Sequence, residues 1–164
     1  MTNKELADLL YPNLKNTVQD YEKMYPERGL KEGAFVVRFG PSPTGFVHMG
    51  SLLTALIDRK VATESGGIFY LRVEDTDDKR SVENGVQGII DDLRNFDVEI
   101  DEGVISESEE KGSYGPYTQS KRLDIYNTYA HYLVSNDYAY PCFCTPEELE
   151  ETREVQEKHS VLSL

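Results

Sequence analysis

The reading turns on RFGPSPTGFVHMGS, Arg38 to Ser51. The stretch begins at the end of an apolar run, AFVVRF (Ala34–Phe39), and finishes inside an amphipathic one. Two prolines, three glycines and one histidine fall where a strand-to-helix junction needs only a short turn. AFVVRF has the composition of a buried strand. Beyond the junction, Met49, Leu52, Leu53, Leu56, Ile57 and Val61 recur at helical spacing and predict one apolar face. Ser65-Gly66-Gly67 ends that helix. IFYLRV (Ile68–Val73) reads as a second strand, and Val86, Ile89, Ile90, Leu93 and Phe96 mark a second amphipathic helix. The order strand, loop, helix, strand, helix predicts a parallel sheet with right-handed crossovers, hence an α/β fold.

Outward from this centre the signals are simpler. Residues 1–32 read as a helical N-terminal extension. Leu14, Val18 and Tyr21 lie at helical spacing, Pro12 breaks the segment and Pro26 ends it. Glu99 to Gly112 is acidic and polar and reads as a surface loop. Leu123, Tyr126, Ala130, Leu133 and Val134 predict another helix. In TPEELEE, Thr145 is a predicted N-cap, Pro146 a first helical residue and Glu148 the partner in a capping box.

The chain has 164 residues, 38% hydrophobic and 29% charged, which suits one globular domain with an appendage. No run of about 18 apolar residues is present, so no membrane span is expected. The N-terminus lacks the apolar core of a secretion signal. Two cysteines in CFC do not make a disulfide framework, so a reducing cytoplasm is the expected compartment. A net charge of −13 repels nucleic acid at long range and argues against indiscriminate binding to it.

What can the loop do? In an open parallel sheet, ligands bind beyond the carboxyl ends of the strands. A helix starting near His48 would aim free backbone N–H groups and its positive dipole end outward, which favours anions such as phosphate. Gly45 and Gly50 allow close backbone approach, and Pro41 and Pro43 stiffen the path. Ser42, Thr44 and Ser51 add hydroxyls. The stretch is neither a GxGxxG fingerprint nor a GxxxxGK[ST] loop. Taken alone, His48 reads better as a capping residue at a βα turn.

Two charges bear on that choice. Arg38 lies in an otherwise apolar strand, where an unpartnered guanidinium is costly. Glu74 follows the second strand, so both reach one sheet edge if the strands are neighbours. A plain ion pair satisfies them. So does a site offering a cation to a carboxylate and an anion to an ammonium, the two charges of an amino acid. Spacing alone leaves both readings open.

Taken together, four blocks resemble the glutamyl-tRNA synthetases, a class I family. RFGPSPTGFVHMGS is similar to their first motif, with His48-Met49-Gly50-Ser51 in place of His-Ile-Gly-His. LRVEDTD (Leu71–Asp77), GPYTQSKRL (Gly115–Leu123) and YAYPCFCTPEELEE (Tyr138–Glu151) follow in the family's order. The likeness covers residues 34–155. It implies the first half of a Rossmann-like nucleotide-binding fold at 33–140 and the start of an acceptor-stem-binding insertion at 141–164. It also implies activation of L-glutamate by ATP with Mg2+, then transfer to tRNA. By the resemblance, Arg38 holds the side-chain carboxylate, Glu74 the ammonium, and Ser42 helps place the amino acid. Gly40, Ser42, His48, Gly50 and Ser51 hold ATP, and His48 stabilises charge on the departing pyrophosphate. Gly40 stands where many relatives carry alanine, which predicts tolerance of that change.

Tyr117, Gln119, Ser120 and Arg122 are expected to shape their loop, with Arg122 also a tRNA-contact candidate. Asp77 and Arg80 lie beside the same edge, Arg80 reading as a solvated charge. Cys142 and Cys144 read as two semi-buried thiols or, by the resemblance, as half of a zinc site, with His159 at the wrong spacing to complete the family's pattern. The family's second signature, a Lys-Met-Ser-Lys-Ser-like loop, is absent from this sequence. The chain therefore reads as an N-terminal piece of a ligase, with little or no activity by itself. The alternatives are a glutamyl-queuosine tRNA synthetase-like enzyme and a non-catalytic nucleotide-binding module. A glutaminyl enzyme is disfavoured, because Ser42-Pro43-Thr44 stands where those relatives have Glu-Pro-Asn.

Overall fold

A computed structural model describes residues 1–45, 47–77 and 82–158. Contacts divide the chain into two units. One is Tyr11–Tyr129, and the other joins Met1–Leu10 to the described residues from Ala130 onward.

The larger unit is built on a four-stranded sheet in the order β1 (Val36–Phe39), β2 (Ile68–Leu71), β3 (Glu102–Val104), β4 (Glu110–Lys111). β1, β2 and β3 are parallel, and β4 runs antiparallel to β3. Helix α3 (Met49–Ser65) connects β1 to β2, and α4 (Gly85–Asn95) connects β2 to β3. The expected α/β order is therefore present. Gly66 caps α3 in the left-handed region at φ 67°, which the Ser65-Gly66-Gly67 signal predicts.

Side chains alternate across the sheet. Phe39, Phe69, Leu71 and Val73 point into a core completed by Leu52, Ala55 and Ala62 of α3 and by Ile89, Ile90 and Leu93 of α4. Val36 and Arg38 lie on the opposite face, in register with Ile68 and Tyr70. Over β1 that face is open: Val36 is 43% exposed. So β1 is not the fully buried strand its composition predicts.

Three further expectations are corrected. On α3, Met49, Leu53, Leu56, Ile57 and Val61 are exposed, while Leu52, Ala55 and Ala62 meet the sheet. The sheet side takes small residues that allow close approach, and the bulkier apolar residues lie elsewhere on the helix. Phe96 is the residue that closes α4 and is half exposed, outside the buried stripe of Ile89, Ile90 and Leu93. The stretch 99–112, expected to be loop, supplies β3 and β4.

The extension holds two helices, α1 (Asn3–Leu10) and α2 (Val18–Met24), with the break at Pro12. Thr17 and Asp20 form a capping box at the start of α2, and Tyr21 is buried. Helix α5 spans Leu123–Ser135. In the smaller unit, His131 Nε2 meets Asp8 Oδ1 at 2.7 Å. Helix α6 (Pro146–Lys158) starts as expected: Thr145 N–H donates to Glu148 at 2.7 Å and Glu148 N–H to Thr145 Oγ1 at 3.2 Å. No described helix is long and apolar enough to cross a membrane.

Candidate active site

The loop after β1 is held by its backbone. Glu74 N–H donates to Pro41 C=O at 2.9 Å, and Arg72 N–H to Phe39 C=O at 3.0 Å. Val82 N–H reaches Pro43 C=O at 3.0 Å, and Val47 N–H reaches Asp92 on α4 at 3.1 Å. Pro43 is buried, whereas Ser42, His48, Gly50 and Ser51 are exposed. The prolines therefore anchor the loop, and its polar residues face outward.

His48 is the N-cap of α3 but makes no side-chain capping bond, so its imidazole is not used up by the helix. Leu52 N–H is bonded to His48 C=O at 2.9 Å. The N–H groups of Met49, Gly50 and Ser51 precede that first helical bond and form the positive end of the helix dipole. A Cβ placed on Gly50 would meet nothing within 4 Å, so the space in front of this turn is open.

The two charges meet. Arg38 Nη1 lies 3.1 Å from Glu74 Oε1, with the side chains 41% and 30% exposed. The sequence-based picture of a buried guanidinium is thus corrected: Arg38 is half open, because it points to the uncovered sheet face. Glu74 has a second cation that sequence reasoning missed. Arg72, on the same face, places Nη2 3.2 Å from the same oxygen. The alternation of IFYLRV was a usable signal, since Arg72 and Tyr70 share a face. Arg72 Nε is buried without a partner.

Gly40 sits against this pair. A Cβ there would stand 2.7 Å from Glu74 Oε1 and 3.4 Å from Arg38 Nε. An alanine requires the Glu74 carboxylate to move, so tolerance of Gly40→Ala carries a local cost.

The third block lies beside the same edge. Val73 N–H donates to Tyr117 C=O at 3.0 Å and Gln119 N–H to Val73 C=O at 2.9 Å, a parallel bridge beyond the end of β2. Ser120 gives Asp75 two hydrogen bonds, from N–H at 2.8 Å and Oγ at 2.6 Å. Arg122 Nη1 is bonded to Pro116 C=O at 2.7 Å. The Asp75–Ser120 bonds were not anticipated, although both residues fall in motif blocks.

Cys142 and Cys144 are exposed free thiols in the smaller unit, not semi-buried ones. Hydrogen bonding to Cys142 pushes the Cys144 thiol up. No group of three or more His, Cys, Asp or Glu gathers into a metal site among the described residues. A closed zinc site takes four ligands, so these two thiols do not make one by themselves. Arg80 and His159 lie outside the described residues.

The open start of α3 and the Arg38–Glu74 pair lie at one edge of the parallel sheet. The chain belongs to the class I tRNA synthetases for E and Q, whose catalytic-domain family matches residues 34–163. Among individual proteins it is 50% identical to the glutamate–tRNA ligase of Clostridium perfringens (strain 13) over 156 residues, 95% of this chain and 29% of that protein. It is also 50% identical to the glutamate–tRNA ligase of Acetivibrio thermocellus over 157 residues, again 95% of this chain and 29% of the relative. Among solved structures, the glutamate-tRNA synthetase of Elizabethkingia anophelis superposes with a TM-score of 0.64 at 41% identity, over 79% of this chain and 26% of that one. The chain thus spans under a third of the relatives it matches.

Proposed function

We propose that this chain is the N-terminal part of a cytoplasmic glutamate–tRNA ligase. Residues 33–140 then form the first half of its nucleotide-binding catalytic domain, residues 1–32 a helical extension, and residues 141–164 the start of the acceptor-stem-binding insertion. The observation that carries the reading is the Arg38–Glu74 pair, half exposed at the strand ends beside an open helix start.

In the first step, the α-carboxylate of L-glutamate attacks the α-phosphorus of ATP and pyrophosphate leaves. In the second, the terminal ribose hydroxyl of tRNA attacks the acyl carbon and AMP leaves. Arg38 binds the substrate's side-chain carboxylate, for which a planar two-pronged donor is well shaped. Glu74 takes the α-ammonium, and Ser42 helps place the amino acid. When Arg38 turns to the substrate, Arg72 remains beside Glu74 at 3.2 Å, so the carboxylate keeps a cation. The backbone at Gly40, Gly50 and Ser51, with Ser42, holds ATP. His48 stabilises the charge that builds on the leaving pyrophosphate, an electrostatic role. Mg2+ bound with the nucleotide supplies further charge neutralisation. Cys142 and Cys144 hold Zn2+ only if further ligands come from elsewhere in the protein.

The test is ATP–pyrophosphate exchange by the full-length protein. Exchange should depend on glutamate and not on glutamine, and this chain alone should show little or none. Absence of glutamate-dependent exchange in the full-length protein overturns the reading. Glutamate delivered to a queuosine base rather than the terminal ribose supports the queuosine alternative instead.

A further inference from the structure

We infer that Arg28, with Tyr25 and Pro26, positions Glu74 from a distance by clamping the segment 114–120, so that this stretch of the N-terminal extension tunes the amino-acid site. The inference rests on the ligase reading and deepens it.

Glu74 follows the last ladder residue of β2, Leu71, so the sheet ladder does not hold it. Its own N–H is tied to Pro41 C=O. Its two neighbours are tied to one irregular segment: Val73 bridges Tyr117 and Gln119, and Asp75 takes both bonds from Ser120. The direction in which Glu74 leaves the sheet therefore depends on where residues 117–120 sit.

That segment belongs to no strand, so its polar groups need side-chain partners. Glu110 accepts from Tyr117 N–H at 2.9 Å and Thr118 Oγ1 at 3.0 Å. Tyr117 OH donates to Glu102 at 2.6 Å and accepts from Tyr114 N–H at 3.0 Å. Arg122 Nη1 holds Pro116 C=O at 2.7 Å, and further holds come from the extension. Tyr25 OH donates to Gly115 C=O at 2.6 Å, and Tyr114 OH donates to Pro26 C=O at 2.8 Å. Arg28 stacks over the Tyr114 ring at 3.6 Å and grips Glu102 with both Nη atoms, the second at 2.8 Å. Arg28 and Glu102 side chains are only 15% and 14% exposed. Glu102 thus joins the two halves of the clamp: it is held by Arg28 on one side and holds Tyr117 on the other. No residue of 25–28 needs to touch substrate for the clamp to work.

The test uses the full-length protein and the double variant Tyr25→Phe/Tyr114→Phe, which removes two clamp bonds and keeps the packing. Wild type must first show glutamate-dependent exchange; if it does not, the ligase reading fails. The clamp is read separately by hydrogen exchange, which needs no activity. In the variant, peptides covering 73–76 and 117–121 should exchange about tenfold faster than in wild type, with α3 peptides unchanged. The KM for glutamate should rise roughly fivefold while kcat and the KM for ATP stay within about twofold. Arg28→Gln should show the same pattern more strongly, and Arg28→Lys should recover part of it. Unchanged exchange at 73–76 and 117–121 overturns the inference, and so does an unchanged glutamate KM. Equal losses in kcat and in both KM values also overturn it, because a purely structural role acts that way.

Discussion

Two arginine–glutamate pairs of the larger unit, Arg28–Glu102 and Arg38–Glu74, differ in every respect that matters. Arg28–Glu102 is enclosed, bidentate and joined by the Tyr117 phenol. Arg38–Glu74 is half open, held by a contact of 3.1 Å, and its carboxylate is shared with Arg72. Burial makes a charge pair costly to break and hard for a ligand to enter. Partial exposure makes a pair weak and available. The first pair can fix geometry; the second can exchange its partner for a substrate.

The largest expected effect on stability is at the enclosed pair. Arg28→Gln leaves the Glu102 carboxylate, only 14% exposed, with a phenol as its remaining donor, and the expected cost is roughly 2–3 kcal/mol, between that of exposed and of fully buried pairs. Urea unfolding of the full-length protein measures it. A loss under about 1 kcal/mol, typical of exposed pairs, would erase the contrast between the two sites.

Next comes His48→Ala, which should leave urea unfolding unchanged. Its expected effect is a fall in pyrophosphate exchange of about 10²–10³-fold, with the glutamate KM little altered. An unchanged exchange rate refutes the electrostatic role.

Gly40→Ala should act more gently, because the atom in the way is the tip of a flexible side chain. The carboxylate can swing aside, raising the glutamate KM by a few-fold, about 1 kcal/mol or less. A KM below the wild-type value would show that Glu74 is not placed for the ammonium.

The smallest effect is a pH dependence of the enclosed pair. Hydrogen bonding from Arg28 holds the Glu102 carboxyl below its usual 4.5. Its folded-state pKa is depressed, so its contribution to stability is present above pH 4.5 and is lost as pH falls through the lower folded value. Burial, then the bond to Glu102, pushes the Tyr117 phenol up to about 12 from the usual 10. That group loses its contribution as pH rises from 10 to about 12. Urea midpoints across both windows should slope in wild type, and the acid slope should flatten in Arg28→Gln.

How much of this was legible beforehand follows from the same contrast. The strand–loop–helix order, the Arg38–Glu74 meeting and the Thr145 capping box are local or follow from parallel connectivity, so the sequence carries them. β3 was not legible. It is three residues long in an acidic stretch, and its Glu102 is enclosed by Arg28 and Tyr117, 74 and 15 positions away. The inner face of α3 is not legible in the sequence, because hydrophobicity marks residues that favour burial, not the neighbour that covers them. Arg72 carries no such hydrophobic signal; only the pleat and the β1–β2 register put it on the face of Arg38.

The most direct test of the open pair as the amino-acid site is Arg38→Gln in the full-length protein, assayed for pyrophosphate exchange with glutamate and glutamine in competition. The account predicts that preference for glutamate collapses while urea stability stays within about 1 kcal/mol of wild type. Retained preference for glutamate, with or without a loss of stability, would contradict it.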